Sequence, residues 1–177
     1  MPLYQVSNFL SLFPYYDCTK LSTFLDTMTT QNYSVGEVEL SYKRKEKVKT
    51  DKILSSSDAY HILRGTFPKG QINFKEYFKV LMLDTAHNIL AWSLICEGGL
   101  TECPADVRLI FQTALLTNAK AIILCHNHPS GSLKPSRQDD NLTNEIVKAG
   151  KILRIPVIDH IILSDEGYYS YSEEGKL

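Results

Sequence analysis

Five apolar residues in a row, Ala121-Ile122-Ile123-Leu124-Cys125, limit most what this chain can fold into. A strand that shows one face to water alternates apolar and polar residues. This run has no polar face, so both of its sides need cover. The flanking segments supply it. Upstream, Val107, Ile110, Phe111, Ala114 and Leu115 recur at helical spacing behind Pro104-Ala105-Asp106, and Asn118 suits the end. Downstream, a helix is predicted over 136–149, with Gly150 as its stop. A strand over 78–84, a turn at 85–88 and a partner strand over 89–97 read as a hairpin ended by Gly98-Gly99. A second hairpin is predicted from a strand over 157–163, the turn Ser164-Asp165-Glu166-Gly167 and a return over 168–172. Ser55-Ser56-Ser57-Asp58 caps a short helix through Ala59, Ile62 and Leu63 that Gly65 closes. The order predicts a mixed α/β domain with a central sheet flanked by helices.

At 177 residues the chain has room for one such domain and a short extension. Residues 1–33 read as that extension, partly ordered or with a short helix where Leu21, Phe24, Leu25 and Met28 recur. Residues 34–177 read as the domain. A net charge of −1 disfavours a whole-domain nucleic-acid binder. No apolar run is long enough to span a membrane. The N-terminus lacks the charged start of a signal peptide. Cys18, Cys96, Cys103 and Cys125 show no paired spacing, so they read as free thiols of a cytoplasmic protein.

The chemistry gathers where the apolar run ends. His126 and His128 are two apart, so in a continued strand they share one face while Cys125 and Asn127 take the other. Paired imidazoles suit zinc or a similar ion. Alone, they suit two hydrogen-bonded loop histidines better. Asp139 adds weight to the metal. It sits at N3 of the predicted helix, where it can cap against Ser136. It also leads the apolar stripe of Leu142, Thr143, Ile146 and Ala149, and a buried carboxylate needs a partner or a cation. Two imidazoles and a carboxylate leave a fourth position for water, the catalytic rather than the structural pattern.

His126-Asn127-His128-Pro129-Ser130-Gly131, followed by Pro135-Ser136-Arg137-Gln138-Asp139, resembles the metal-binding core of the JAMM (MPN+/JAB) metalloproteases. The Asn between the histidines, the Pro-Ser-Gly after them and Asp159-His160 are similar to the bacterial RadC branch. The resemblance runs from about Val35 to Leu177 and implies an MPN/JAB-like, cytidine-deaminase-like sheet flanked by helices. The helix-hairpin-helix segment of full-length RadC proteins is not visible, so the chain resembles a stand-alone RadC-like domain. The family pattern makes His126, His128 and Asp139 the zinc ligands and Ser136 the oxyanion helper. It also calls for a glutamate as general base on the bound water. Where many relatives have an acidic pair early in the second strand, this sequence has Trp92 and Ser93. Glu97 is the only acid in that strand and shares a face with Ser93 and Ile95 by alternation, so it reads either as the base, with Glu102 as a lesser substitute, or as an ordinary solvated acid at the strand end.

Asp159, inside an apolar strand, is expected either to orient a ligand histidine, with His160 on the opposite face, or to belong to a buried polar pair. Lys43, Arg44, Lys45, Lys47, Lys49 and Lys52 read first as a protected strand edge and second as a weak nucleic-acid contact. The expected function is a zinc-dependent peptidase or isopeptidase-like hydrolase acting on a protein or peptide. The alternatives are a DNA-repair-associated accessory module with a structural metal, as the family's traditional name implies, and a metal-binding scaffold.

Overall fold

The computed structural model describes residues 52–98 and 104–177. All of them fall in Leu40–Leu177, the second of two units into which the chain divides. The extension expected over 1–33, the strand-like run from Val35, most of the basic run, Glu102, Cys18 and Cys103 lie outside the described residues. The described elements are α1 (Ser56–Arg64), β1 (Tyr77–Leu83), β2 (Ile89–Glu97), α2 (Val107–Leu116), β3 (Ala121–Asn127), α3 (Arg137–Leu153), β4 (Val157–Leu163) and β5 (Tyr168–Ser170).

The strands form one mixed sheet in the order β2-β1-β3-β4-β5. The β1–β2, β1–β3 and β4–β5 pairs are antiparallel, and β3–β4 is parallel across α3. The apolar run is the middle strand, buried along its whole length. On one face Ile123 and Cys125 join Tyr77, Leu81, Leu83 and Ile161 beneath Ala59 and Leu63 of α1. On the other, Ile122 and Leu124 join Phe78, Val80 and Met82 against Ile110, Phe111 and Ala114 of α2 and Ile146 of α3. This is the helix-flanked sheet that the sequence predicts.

The helix starts follow the local chemistry. Ser55 and Asp58 make a reciprocal capping box on α1, and Ser136 and Asp139 make one on α3. Asp106 caps α2 by accepting from Arg108 N at 2.8 Å. Asn118 follows α2 with φ 53°, a conformation its short side chain tolerates.

Three expectations need correction. Gly150 does not stop α3, which runs on to Leu153 and ends on Arg154 at φ 56°. The glycine serves a close approach instead. A Cβ there would lie 2.5 Å from the Ile155 carbonyl oxygen. The free-thiol reading holds for buried Cys125 but not for Cys96, which is disulfide-bonded. In β2, Cys96 pairs with Phe78 and Leu94 with Lys79, so Ile95 is an extra residue at an irregularity. Simple alternation therefore fails near Glu97. Among the described residues, no helix is long and apolar enough to cross a membrane.

Candidate metal centre

β3 delivers His126 and His128 to its carboxyl end on the α2–α3 face, and α3 brings Asp139 to meet them. His126 Nε2 lies 3.0 Å from His128 Nε2 and 3.2 Å from an Asp139 oxygen. The other Asp139 oxygen is 3.4 Å from His128 Nε2. Four groups at ~2.0–2.1 Å around a tetrahedral ion stand about 3.3 Å apart, so these separations suit one zinc-sized cation. His126 is buried at 1% side-chain exposure, while His128 and Asp139 are open at 16% and 14%. The cluster is therefore reached from solvent on the side of His128 and Asp139.

The donor chemistry agrees. The His128 Nδ1–H donates to the Ser132 carbonyl at 2.7 Å, so the neutral ring turns a lone pair from Nε2 toward the centre. Burial opposes the charge on Asp139, but hydrogen bonds to His126 and His128 outweigh it and hold the carboxyl well below the usual carboxylate range. Without a metal, the bond to Asp139 raises the His128 pKa; burial opposes the rise, and the Ser132 carbonyl and the charges of Asp139 and Glu76 add to it. A cation at this point would take the place of those protons. Asp139 also accepts from Ser136 N at 2.6 Å, so the carboxylate that caps α3 is the one that meets the two histidines. Ser136 Oγ accepts from Asp139 N at 3.1 Å, and the residue is exposed.

The structure does not bring Glu97 to this centre. After the irregularity at Ile95, Glu97 pairs with Tyr77 and so faces the α1 side of the sheet. There it bonds Lys75 Nζ at 2.8 Å and lines a pocket with Lys79, Trp92 and Leu94. The acid that acts electrostatically on this centre is Glu76, one residue before β1, which sequence reasoning missed. Phe78 pairs with His126 in the antiparallel β1–β3 register, and Glu76 lies just ahead of β1 on the approach to that pair. It is half-buried, and its charge reaches His128.

Asn127 points away from the histidines, as alternation predicts, and holds the segment that carries Glu76. Its Oδ1 accepts from Tyr77 N at 2.8 Å. Its Nδ2 donates to the Ile72 and Lys75 carbonyls at 2.6 and 2.7 Å.

The roles expected of Asp159 and His160 are reversed. Asp159 is buried on the α1 face, where both of its oxygens accept from Ser170 Oγ and one also accepts from the amides of His160 and Ser172. His160 faces the ligand, its Nε2 2.8 Å from His126 Nδ1. The bulge of register between Ile122 and Ile123 against β4 places Leu124 beside His160 on this face. Burial holds the His160 pKa well below its ordinary value, aided by the charge of His126. Of the basic run only Lys52 is described, exposed and bridged to Asn88.

A mixed sheet with His-x-His at the mouth of its middle strand, closed by an aspartate at the next helix start, defines a JAB-type domain with a candidate metal centre. The model of the RadC-like JAB domain matches residues 53–176, and the chain belongs to that family. It is 36% identical over 143 residues to a UPF0758 protein of Flavobacterium johnsoniae, covering 80% of this chain and 61% of that one. It is 40% identical over 136 residues to a UPF0758 protein of Methanococcoides burtonii, covering 75% and 58%. A Methanosarcina mazei relative is 39% identical over 124 residues, covering 70% and 53%. The chain thus spans a little over half the length of these curated relatives.

Proposed function

We propose that this domain is a zinc-dependent hydrolase of amide bonds, of the JAMM peptidase or isopeptidase type. The observation that carries the reading is the convergence of His126 Nε2, His128 Nε2 and an Asp139 oxygen within 4.8 Å of one another. Bound there, zinc would supply Lewis acidity and lower the pKa of a water from 15.7 to about 7. His126, His128 and Asp139 would hold the ion and leave a position for the water and substrate. Glu76, just before β1 and close enough for its charge to act on His128, would take a proton from the attacking water. It would then give that proton to the amine as the carbon–nitrogen bond breaks, leaving a carboxylate. Ser136 Oγ accepts from Asp139 N, which leaves its own hydrogen free to bond the carbonyl oxygen as charge develops. Glu97 takes no part, being tied to Lys75 on the other face.

The test is cleavage of a panel of peptide and ε-lysyl isopeptide substrates by zinc-loaded protein. We expect turnover by the wild type, a loss of 10²–10⁴-fold in Glu76→Gln, and a change within a few-fold in Glu97→Gln. Equal activity in Glu76→Gln would overturn the assignment of the base. No cleavage of either bond type by zinc-loaded wild type would overturn the hydrolase reading.

A further inference from the structure

The hydrogen bonds behind the candidate centre form a chain with one direction. Thr143 Oγ1 lies 2.6 Å from the Asp139 carbonyl oxygen, one turn earlier in α3. A carbonyl oxygen only accepts, so the hydroxyl spends its single proton there. Thr143 Oγ1 also lies 2.6 Å from His160 Nδ1. With its proton committed, the hydroxyl can only accept from that nitrogen, so His160 carries its hydrogen on Nδ1. The neutral ring then has a lone pair on Nε2, which lies 2.8 Å from His126 Nδ1. His126 must donate there, and its own lone pair is left on Nε2, aimed at His128 and Asp139. The chain runs from backbone to ligand without a break, and each nitrogen in it has one role.

The packing holds the rings in this pose. His160 is wholly buried and stacks on Tyr171 at 4.9 Å and 12°. Phe78 stacks on His126 at 5.9 Å and 8° from the other direction. Tyr171 is anchored by its hydroxyl, which donates to Asp140 at 2.9 Å. Because Thr143 and Asp139 share α3, the helix that supplies the carboxylate ligand also sets the tautomer of the histidine on β3.

We propose that Thr143 and His160 are positioning residues for the metal centre: together they fix His126 as the Nδ1–H tautomer and so present its Nε2 lone pair to the ion. The inference rests on the metal reading above and goes beyond it, because neither residue touches the ion. Neighbours of this kind typically change metal affinity by 10–100-fold.

The test uses the full chain in wild-type, His160→Phe, His160→Gln, Thr143→Val and Thr143→Ser forms, each first checked for folding by circular dichroism. Zinc affinity is read by chelator competition. His160→Phe is expected to bind zinc 10–100-fold more weakly, with Thr143→Val weakened in the same direction. His160→Gln should stay within a few-fold of wild type, because its amide oxygen can accept from His126 while its amide nitrogen donates to Thr143. Thr143→Ser keeps the hydroxyl and should match wild type. Long-range proton–nitrogen NMR of the zinc-loaded wild type is expected to show His160 with its hydrogen on Nδ1. His160 found with its hydrogen on Nε2 overturns the proposal, as does unweakened binding in both His160→Phe and Thr143→Val. Should His160→Phe fail to fold, Thr143→Val and the NMR spectrum decide. Wild type that binds no zinc overturns the metal reading itself and this inference with it, an outcome distinct from a wild type that binds and variants that do not differ.

Discussion

Asn127 does for Glu76 what helix packing does for Asp139: it fixes an acidic residue from the side away from the chemistry. Its amide is buried and makes three hydrogen bonds, all to backbone atoms between Ile72 and Tyr77. Asn127→Ala should therefore leave a buried N–H and two carbonyls unpaired, at about 1–3 kcal/mol each before relaxation. The expected signature is a split: kcat falls at least 10-fold as Glu76 drifts, while zinc affinity changes little. Equal loss of zinc affinity and turnover would place Asn127 with the ligands instead. Lys79, on the α1 face, is a second buried group with a readable consequence. It is 2% exposed, bonds the Thr66 carbonyl and hydroxyl at 2.8 and 3.0 Å, and lies 3.9 Å from the Phe67 ring centre. Burial lowers its pKa, and the Cys125 side chain opposes that slightly. The unfolded chain then binds more protons than the fold as pH approaches about 10.4 from below, so the lysine's penalty on stability shrinks as pH rises through that window. Denaturation by urea at pH 8, 9 and 10 should show wild type gaining on Lys79→Met; parallel curves would contradict this. At this scale the candidate ligands were legible in the sequence, because a strand of period two and a capped helix bring His126, His128 and Asp139 into reach of one another from local spacing alone. Glu76 was not, because its place depends on the register between β1 and β3, which no local pattern encodes.

At the scale of elements, the sequence misled where a single residue had two readings. Gly150 looks like a helix stop, yet the helix passes through it and turns back only after Arg154. Its real constraint is the return of the chain, with Ile155 N donating to the Gly150 carbonyl at 2.9 Å. Gly→Ala inside a helix normally gains up to about 1 kcal/mol. Here the added methyl meets a backbone oxygen at 2.5 Å, so Gly150→Ala should cost about 1–3 kcal/mol in chemical denaturation. A stabilised Gly150→Ala protein would show that β4 can shift freely against α3. The extra residue at Ile95 explains the second error. It turns Glu97 onto the α1 face, and nothing in Trp92-Ser93-Leu94-Ile95-Cys96-Glu97 announces it. The swap of Asp159 and His160 has the same origin, since an irregular register between β3 and β4 decides which of two adjacent residues faces the ligands.

Across the whole molecule, the centre is assembled from segments that meet only in the completed sheet. β3 and the residue after it carry two candidate ligands, α3 the third, β4 the histidine behind them, and the approach to β1 the proposed base. The apolar run of β3 made the layered α/β architecture legible, because a strand without a polar face demands cover on both sides. The order β2-β1-β3-β4-β5 was not legible, since β1 reaches β3 across an intervening hairpin arm and helix. Both the proposed hydrolysis and the positioning role of His160 require that His126, His128 and Asp139 bind one metal ion. The most direct measurement is metal content by elemental mass spectrometry after purification without chelator and saturation with zinc, for wild type, His126→Ala, Asp139→Ala and Glu76→Gln. We predict one zinc per chain in wild type and Glu76→Gln, and loss of tight zinc in the two ligand variants. Wild type without stoichiometric zinc, or ligand variants that retain it, would contradict the account.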